Sequence, residues 1–283
     1  MVYTQPPGVW KAKTAITKWE NIMTTSLIPE LRQFLEEFVE KESDRLSHAS
    51  WWRKPLLVSA PIDGRFDALP DIAMDEHIHP YDLLKTAKSL IVFFIPFVKD
   101  LIRENRPGER PIRNWGVAYV ETNDLINRAG ESIADWLKEM GYASGLTPAT
   151  HNFNEDRLMA RWSHKHLAHL TGLGRFGTHY MIITPAGACG RFGSLVSEAD
   201  LGDNPLMDTE HACLLKAGQT CGKCMDRCPV NALTEDGFDR RKCWDRLNEN
   251  RDTLGYFSDL PENTHVCAKC VAMLPCSFAN PVK

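Results

Sequence analysis

The sequence has no cysteine before position 189, then nine in total, eight of them between Cys213 and Cys276. It also lacks a long apolar segment. The longest strongly apolar run, Leu90 to Val98, contains Pro96 and is far shorter than the roughly 20 residues that cross a bilayer. No basic region followed by an apolar one opens the chain, and no twin-arginine signal is present. We therefore expect a cytoplasmic protein that does not cross a membrane.

An excess of charge of one sign is also missing. The formal net charge is -4 over 283 residues, so the chain as a whole lacks the basic footprint of a nucleic-acid-binding protein. In a reducing compartment, nine cysteines are more often metal ligands than disulfides. The change in cysteine content predicts a domain boundary near residue 205, which divides the chain into domains 1–205 and 206–283.

Apolar residues recur at helical spacing in several segments that alternate with short apolar runs. Helices are predicted at Ile28 to Leu46, in HPYDLLKTAKS, at Thr122 to Gly141 and from about Asp156 to Leu170. Strands are predicted at Leu56 to Val58, in LIVFFIPF and in YMIIT. Helices alternating with buried strands predict an α/β (α+β) fold.

Two C-x2-C pairs dominate the last third of the chain, one in CGKCMDRCP and one in CAKC. Each pair has one cysteine upstream and one downstream, which suits two iron-sulfur clusters with four thiolate ligands each. In a crossed ferredoxin arrangement, the first cluster takes Cys213, Cys221, Cys224 and Cys276. The second takes Cys228, Cys243, Cys267 and Cys270.

The cysteine spacing departs from the ferredoxin pattern in two places. Cys213 lies eight residues before Cys221, and Cys276 lies six after Cys270 and precedes Ser277 instead of proline. Two structural zinc sites with four thiolates each are the alternative, but the C-x3-C-P ending favours iron-sulfur clusters. Cys189 is expected to be a small buried apolar residue, or else to replace Cys213 as a ligand.

A longer motif precedes the cysteines: HLAHLTGLGRFGTHYMIITPAGACGRFGSLVSEADL. Together with HPYDLLKTAKSLIVFFIPF and ADWLKEMGYAS upstream, it resembles the epoxyqueuosine reductase and reductive dehalogenase superfamily over roughly residues 79 to 276. The resemblance implies a nitroreductase-like domain that holds base-off cobalamin, followed by a ferredoxin-like domain with two 4Fe-4S clusters. It also implies that electrons pass through both clusters and reduce cobalt to Co(I).

The glycine-rich turn GLGRFGT is the predicted cofactor-binding segment, because glycines let the backbone approach a ligand closely. Its candidate residues are Gly172, Gly174, Arg175, Gly177 and Thr178. Tight packing of a helix on a strand explains the same glycines without a ligand. Arg161 and Arg175 suit an anionic group or are ordinary surface charges. A D-x-H-x-x-G motif is absent, so histidine ligation of cobalt is not expected.

A reductive reaction needs a proton donor beside the substrate. The candidate catalytic residues are Tyr142, Asp156, His164, His166 and Tyr180. Asp156 is the counterpart suggested by an aspartate that precedes the GLG turn in epoxyqueuosine reductases. The segment HNFNEDRLMARWSHKHLAH also contains His151 and His169, and one of its four histidines is expected to act in the chemistry. Packing at a helix end is the alternative for Tyr142.

The leading prediction is a cobalamin-dependent oxidoreductase that reduces a small molecule with electrons from a low-potential donor such as ferredoxin or flavodoxin. Transfer RNA is not expected as a partner, because the sequence stops at Lys283 before the family's tRNA-engaging extension. One alternative is an electron-transfer protein that serves a corrinoid enzyme or another partner. Another is the same fold with flavin or a different metal site.

Overall fold

The structure is a computed structural model that describes residues 27–148 and 153–282. Its helices are α1 (Leu27–Asp44), α2 (Leu69–Ile72), α3 (Pro80–Leu83), α4 (Lys99–Glu104), α5 (Arg113–Glu139), α6 (His164–Leu170), α7 (Lys223–Asp226) and α8 (Arg240–Thr253). Its strands are β1 (Leu56–Pro61), β2 (Ser89–Pro96), β3 (Ser144–Leu146), β4 (Phe153–Asn154), β5 (Met159–Ala160), β6 (Arg175–Phe176), β7 (Ile182–Ile183), β8 (Gly190–Ser197), β9 (Leu233–Thr234) and β10 (Gly237–Phe238).

A four-stranded antiparallel sheet in the order β1-β2-β8-β3 forms the centre of the fold. Every residue of β2 is buried, as the continuous apolar run predicts. Alternate β2 side chains point to opposite faces. Ile91 and Phe93 join a core with α1 and α5, whereas Val92 and Phe94 join a second core with α6. The sheet is therefore covered by helices on both faces, and the predicted mixed α/β class is confirmed.

Helix α5 begins nine residues before the predicted start at Thr122. The threonine does not cap a helix. Its hydroxyl donates to the carbonyl of Ala118 in the preceding turn and accepts from the indole of Trp52. Thr122 is fully buried. Its hydroxyl therefore hydrogen-bonds partners in the core, whereas an exposed threonine hydroxyl often caps the start of a helix.

The predicted helix from Asp156 to Leu170 is wrong over its first half, where the chain forms the β4–β5 hairpin. Long-range contacts hold the hairpin in place. The ring of Phe153 packs on Trp244 at 5.1 Å, and Arg241 donates to the carbonyl of Asp156. Leu158 has a φ of 54° in the turn, which a helix does not allow. The helix therefore starts only at His164.

The segment after residue 206 has little regular structure beyond α7, α8 and the β9–β10 pair. Its apolar residues Phe257, Val266, Val271 and Ala272 share one core with α1, α5 and β2. The two parts of the chain therefore pack on each other extensively, and the domain boundary near residue 205 stays a prediction. Across residues 27–148 and 153–282, no helix has the length and apolar character that crossing a membrane requires.

Candidate redox site

The first thiol group consists of Cys213, Cys221, Cys224 and Cys276. All four side chains line one small cavity, together with His179. Cys213 and Cys224 are buried, and the other two are half-buried. Residues far apart in the chain thus contribute sulfur atoms to one enclosed space, in the combination that the crossed arrangement predicts.

The second thiol group consists of Cys228, Cys243, Cys267 and Cys270. These side chains line a separate cavity of about 240 Å³, here called the thiol cavity. Ala268, between the last two cysteines, has a φ of 62°, a left-handed conformation that is uncommon for residues other than glycine. This tight loop directs both thiols to the same cavity. Cys189 also lies in the cavity wall, where its Sγ donates to the carbonyl of Val271 at 3.1 Å.

Burial and crowding raise the pKa of most of these thiols. Burial, followed by the charge of Cys213, raises the pKa of Cys276 to about 12. Burial, followed by Cys267 and Cys228, raises the pKa of Cys243 to about 12. Burial, followed by Cys267 and Cys243, also raises the pKa of Cys270 well above its ordinary value. Four thiols packed in this way ionise together only beside a compensating positive centre, which a metal cluster supplies.

The thiols of neither group meet at a single point. Among the described residues, no three His, Cys, Asp or Glu side chains are grouped closely enough to hold a single metal ion. A zinc ion needs its sulfur ligands about 2.3 Å from one centre. A 4Fe-4S cubane is itself several ångströms wide, so its ligands surround a space, as both thiol groups do here.

Hydrogen-bonding groups approach the sulfur atoms of the first thiol group. Thr178 Oγ1 lies 3.4 Å from Cys213 Sγ, and His179 Nε2 lies 3.4 Å from Cys276 Sγ. Burial opposes ionisation of Cys213, but bonds from Thr178 and backbone N–H groups outweigh it and lower the pKa of this thiol. Contacts of this kind tune the potential of a cluster. Sequence reasoning found Thr178 but missed His179, whose only signal was its place beside the glycine-rich turn.

A larger cavity of about 600 Å³, here called the central cavity, adjoins the thiol cavity. The two cavities share the side chains of Tyr119, Met181, Arg191, Leu247 and His265 in their walls. Aromatic rings supply much of the remaining wall, namely Phe153, Trp162, Phe192 and Trp244. The second thiol group therefore borders a space with an aromatic side and several polar groups, of the kind that binds large ligands.

The candidate proton donors are divided between separate regions. His164 lines the central cavity, and its Nδ1 lies 2.7 Å from Ser194 Oγ. His166 and Tyr180 line a different cavity of about 650 Å³, here called the lateral cavity. Asp156 is exposed in the β4–β5 turn, and Tyr142 packs against the core after α5. His151 lies outside the described residues.

His166 is also unsuited to carrying a proton at neutral pH. Burial, followed by the positive charge of Lys165 and other neighbours, lowers the pKa of His166 to about 4. His169, on the same side of α6, has a lowered pKa chiefly because of burial. Both rings therefore stay neutral at pH 7.

The predicted cofactor turn packs tightly against protein atoms. A Cβ on Gly172 would lie 2.6 Å from Pro205, and one on Gly174 would lie 2.4 Å from Ile182. A Cβ on Gly177 would meet the His179 ring at 2.6 Å. Arg175 donates to backbone carbonyls of residues 169, 174, 207 and 209. These contacts explain the glycines by packing, and cofactor binding by this turn stays a prediction.

Sequence reasoning missed two neighbouring residues in the wall of the central cavity. The guanidinium of Arg191 lies over the ring of Tyr119, 4.2 Å from its centroid. Arg191 belongs to the glycine- and arginine-rich segment that carried the family resemblance, so the sequence contained a signal that could have identified it. Tyr119 lies inside α5, and no sequence motif marked it as a site residue.

Comparison with known proteins relates the chain to one group of enzymes. No family model matches it. The epoxyqueuosine reductase of Bacillus subtilis is 25% identical over 219 residues, which cover 73% of this chain and 51% of that protein. The resemblance to the epoxyqueuosine reductase and reductive dehalogenase superfamily is confirmed. The chain spans about half the length of this curated relative.

Two solved structures share the fold. One is an epoxyqueuosine reductase with an epoxyqueuosine-modified tRNA stem loop, with a TM-score of 0.52 and 19% identity over 87% of this chain and 66% of that one. The other is the catabolic reductive dehalogenase NpRdhA, with a TM-score of 0.52 and 15% identity over 80% of this chain and 30% of that one.

The prediction of a small-molecule partner and no tRNA is wrong. The relative found by sequence is an epoxyqueuosine reductase, and a structure with the same fold contains a tRNA stem loop. The prediction relied on net charge and on the position of the last residue. Both are properties of the whole chain, whereas a nucleic acid is recognised at a local surface.

Proposed function

We propose that the chain is a reductase that carries two 4Fe-4S clusters and uses cobalamin. The observation that supports this most directly is the division of eight cysteines into two groups of four, each around its own cavity. Cys213, Cys221, Cys224 and Cys276 would hold one cluster. Cys228, Cys243, Cys267 and Cys270 would hold the other. The thiol-rich donor set fits iron-sulfur chemistry in a reducing, cytoplasmic compartment.

The central cavity fits cobalamin better than the glycine-rich turn does. Its aromatic wall can cover the flat face of a large ring system and exclude water, and it adjoins the second thiol group. When bound, the clusters would supply single electrons and the cobalamin a reducible cobalt centre. A simple electron carrier has no use for a cavity of about 600 Å³, so the enzyme is favoured over the electron-transfer alternative.

Within this proposal, His164 is the residue that handles the proton. Of the five candidates, its ring is the one that lines the central cavity. Ser194 Oγ accepts from the indole N–H of Trp162 at 3.0 Å. This leaves the serine O–H free to donate to His164 Nδ1, which favours the neutral tautomer with its proton on Nε2. As the acid, protonated His164 would donate its Nδ1–H to Ser194 Oγ, give its other ring proton to the reacting group and return to the neutral form.

Epoxyqueuosine in tRNA is the proposed substrate for a first assay, because the relatives found by sequence and by fold carry that name. The net charge of -4 does not argue against it, since a few local cations position a phosphate backbone. Reduction would be followed in a purified stem loop with a chemical low-potential reductant.

The deciding experiment is anaerobic purification followed by iron, sulfide, zinc and cobalt analysis, with visible spectra before and after cobalamin addition. We expect about eight irons and eight sulfides per chain, from two cubanes, and uptake of one cobalamin. Zinc without sulfide would rule out the clusters. Full iron content without cobalamin uptake would favour the electron-transfer protein.

A matched pair of cysteine variants sharpens the result. Cys228→Ser should lose about half of the iron, because it removes one ligand of the second cluster. Cys189→Ser should keep all of it, since a serine hydroxyl can still donate to the Val271 carbonyl. Equal iron loss in both variants would contradict the ligand assignment.

A further inference from the structure

Arg191 is a cation without a counter-charge in the wall shared by the thiol cavity and the central cavity. It lies at the start of β8, opposite Ile95 of β2. The Nε atom is buried and has no hydrogen-bond partner. Within residues 27–148 and 153–282, the guanidinium forms no ion pair. It lies over the Tyr119 ring and hydrogen-bonds the side chain of that residue.

Such an arrangement is costly for the folded protein. Burial lowers the pKa of Arg191, yet an arginine side chain stays protonated in proteins. A buried charge is normally paired or fully hydrogen-bonded, because losing water without a partner is unfavourable. Tyr119 offers a cation–π contact and a hydrogen bond, but its neutral side chain does not balance the charge. The missing partner is therefore expected to come from outside the chain.

The nearby carboxylate does not fill this role. Glu155 also lines the central cavity, but its side chain is exposed and its charge acts on Arg251 and His265. The other cation in that wall, Lys165, already donates to the carbonyl of Tyr180 at 3.2 Å. Arg191 is thus the cation of this cavity that has no carboxylate partner among the described residues and whose Nε has no acceptor there.

We propose that Arg191 binds an oxyanion group, a carboxylate or a phosphate, of the molecule that is reduced in the central cavity. A guanidinium presents paired N–H groups that match the two oxygens of such a group. The aromatic wall would hold the apolar part of the same molecule. This inference rests on the proposed function, since it concerns the substrate of that site.

The test is calorimetric binding to the full, reconstituted chain with benzoate and phenyl phosphate as anionic probes and benzamide as the neutral control. The wild type should bind the anions at least about tenfold more tightly than benzamide, a difference of about 1.4 kcal/mol. Arg191→Gln should abolish this preference, and Arg191→Lys should keep part of it. Equal affinities, no binding of the anions at millimolar concentration, or a preference that survives Arg191→Gln would overturn the proposal.

Thermal unfolding separates binding from a structural role. Arg191→Gln should leave Tm unchanged or raise it, because it removes an uncompensated charge. Arg53 is the matched control. It is half-buried and donates to the carbonyls of Phe97 and Ala186, so Arg53→Gln should lower Tm and leave probe binding intact. A loss of Tm in Arg191→Gln equal to that in Arg53→Gln would make Arg191 structural and overturn the proposal.

The anion could also belong to the cofactor, whose nucleotide loop contains a phosphate that cobinamide lacks. Uptake of cobalamin and of cobinamide should therefore respond equally to Arg191→Gln. Weaker uptake of cobalamin alone would assign Arg191 to the cofactor phosphate and overturn the proposal. None of these results changes the iron content, so failure here is distinct from failure of the proposed function.

Discussion

The hydroxyl of Thr178 lies 3.4 Å from the sulfur of Cys213 and links the glycine-rich turn directly to the first thiol group. The next residue, His179, makes a similar approach to Cys276. The family motif and the cysteine pattern, separated in the sequence, therefore meet in one site. Their contact gives the turn a role that does not require a ligand beside its glycines.

The first prediction concerns this hydroxyl. A hydrogen bond to a cluster ligand stabilises the more negative, reduced cluster, so its removal should lower the reduction potential. Thr178→Val should lower the potential of one cluster, and Thr178→Ser should preserve it. A potentiometric titration followed by electron paramagnetic resonance makes the comparison. Identical potentials in the two variants would show that the contact has no electronic effect.

The second prediction concerns His164. If it supplies the proton, His164→Gln should lower kcat by about 100-fold or more, the usual contribution of a general acid, while cobalamin uptake stays intact. Single-turnover reduction of the tRNA stem loop would measure this. His211→Gln is a suitable control, since that half-buried ring pairs with the neighbouring Glu210 at 3.5 Å. A small, equal effect of both variants would remove His164 from the chemistry.

The third prediction concerns acid stability. Burial first, and then neighbouring cations, hold the pKa of His166 at about 4, below its unfolded value of 6.5. The unfolded chain therefore binds more protons between these pH values, so stability is full above pH 6.5 and falls as the pH decreases. The loss from pH 7 to 5.5 should be about 1 kcal/mol.

Urea unfolding of the wild type and of His166→Asn at both pH values checks this prediction. The variant should lose less stability than the wild type over the same interval, because asparagine does not titrate. The loss of unfolding free energy between the two pH values is compared between the wild type and the variant. This comparison cancels contributions shared by both proteins, including cluster loss in acid. The same pH sensitivity in both would mean that His166 is ionised as readily in the folded protein as in the unfolded one.

The fourth prediction separates packing from ligand binding in the GLG turn. Gly174→Ala should destabilise the protein by about 1–3 kcal/mol, as overpacking does, because the added Cβ would lie 2.4 Å from Ile182 and 2.6 Å from the Ile183 carbonyl. Gly130→Ala, in α5 with no heavy atom within 4 Å of its added Cβ, should instead stabilise the helix by up to about 1 kcal/mol. Thermal unfolding with and without cobalamin compares them. A Gly174→Ala effect that appears only with cobalamin would favour the ligand.

Several features followed from local pattern. Strand β2 and helix α1 lie where apolar spacing predicted them, because a buried strand and an amphipathic helix each have a distinct period. Each C-x2-C pair also lines a single cavity, since a C-x2-C loop can direct two thiols to one space. The assignment of the eight cysteines as cluster ligands stays a prediction. Eight cysteines in this pattern can be divided into sets of metal ligands in few other ways.

Other features depended on contacts that no local pattern contains. The β4–β5 hairpin exists because Phe153 packs on Trp244, although the same segment has an acceptable helical pattern. The histidines of α6 are close in sequence, yet His164 faces the central cavity and His166 the lateral cavity. Their separation depends on how α6 lies against the sheet.

The sequence by itself determined the buried strand, the amphipathic helices and the number and spacing of the thiols, because each depends on residues close together along the chain. Tertiary structure decided which histidine borders the cavity beside the second thiol group, and it placed Arg191 over Tyr119. Those two residues come from a strand and a helix far apart in the chain. Their meeting depends on packing of the whole sheet against α5, which local periodicity does not encode.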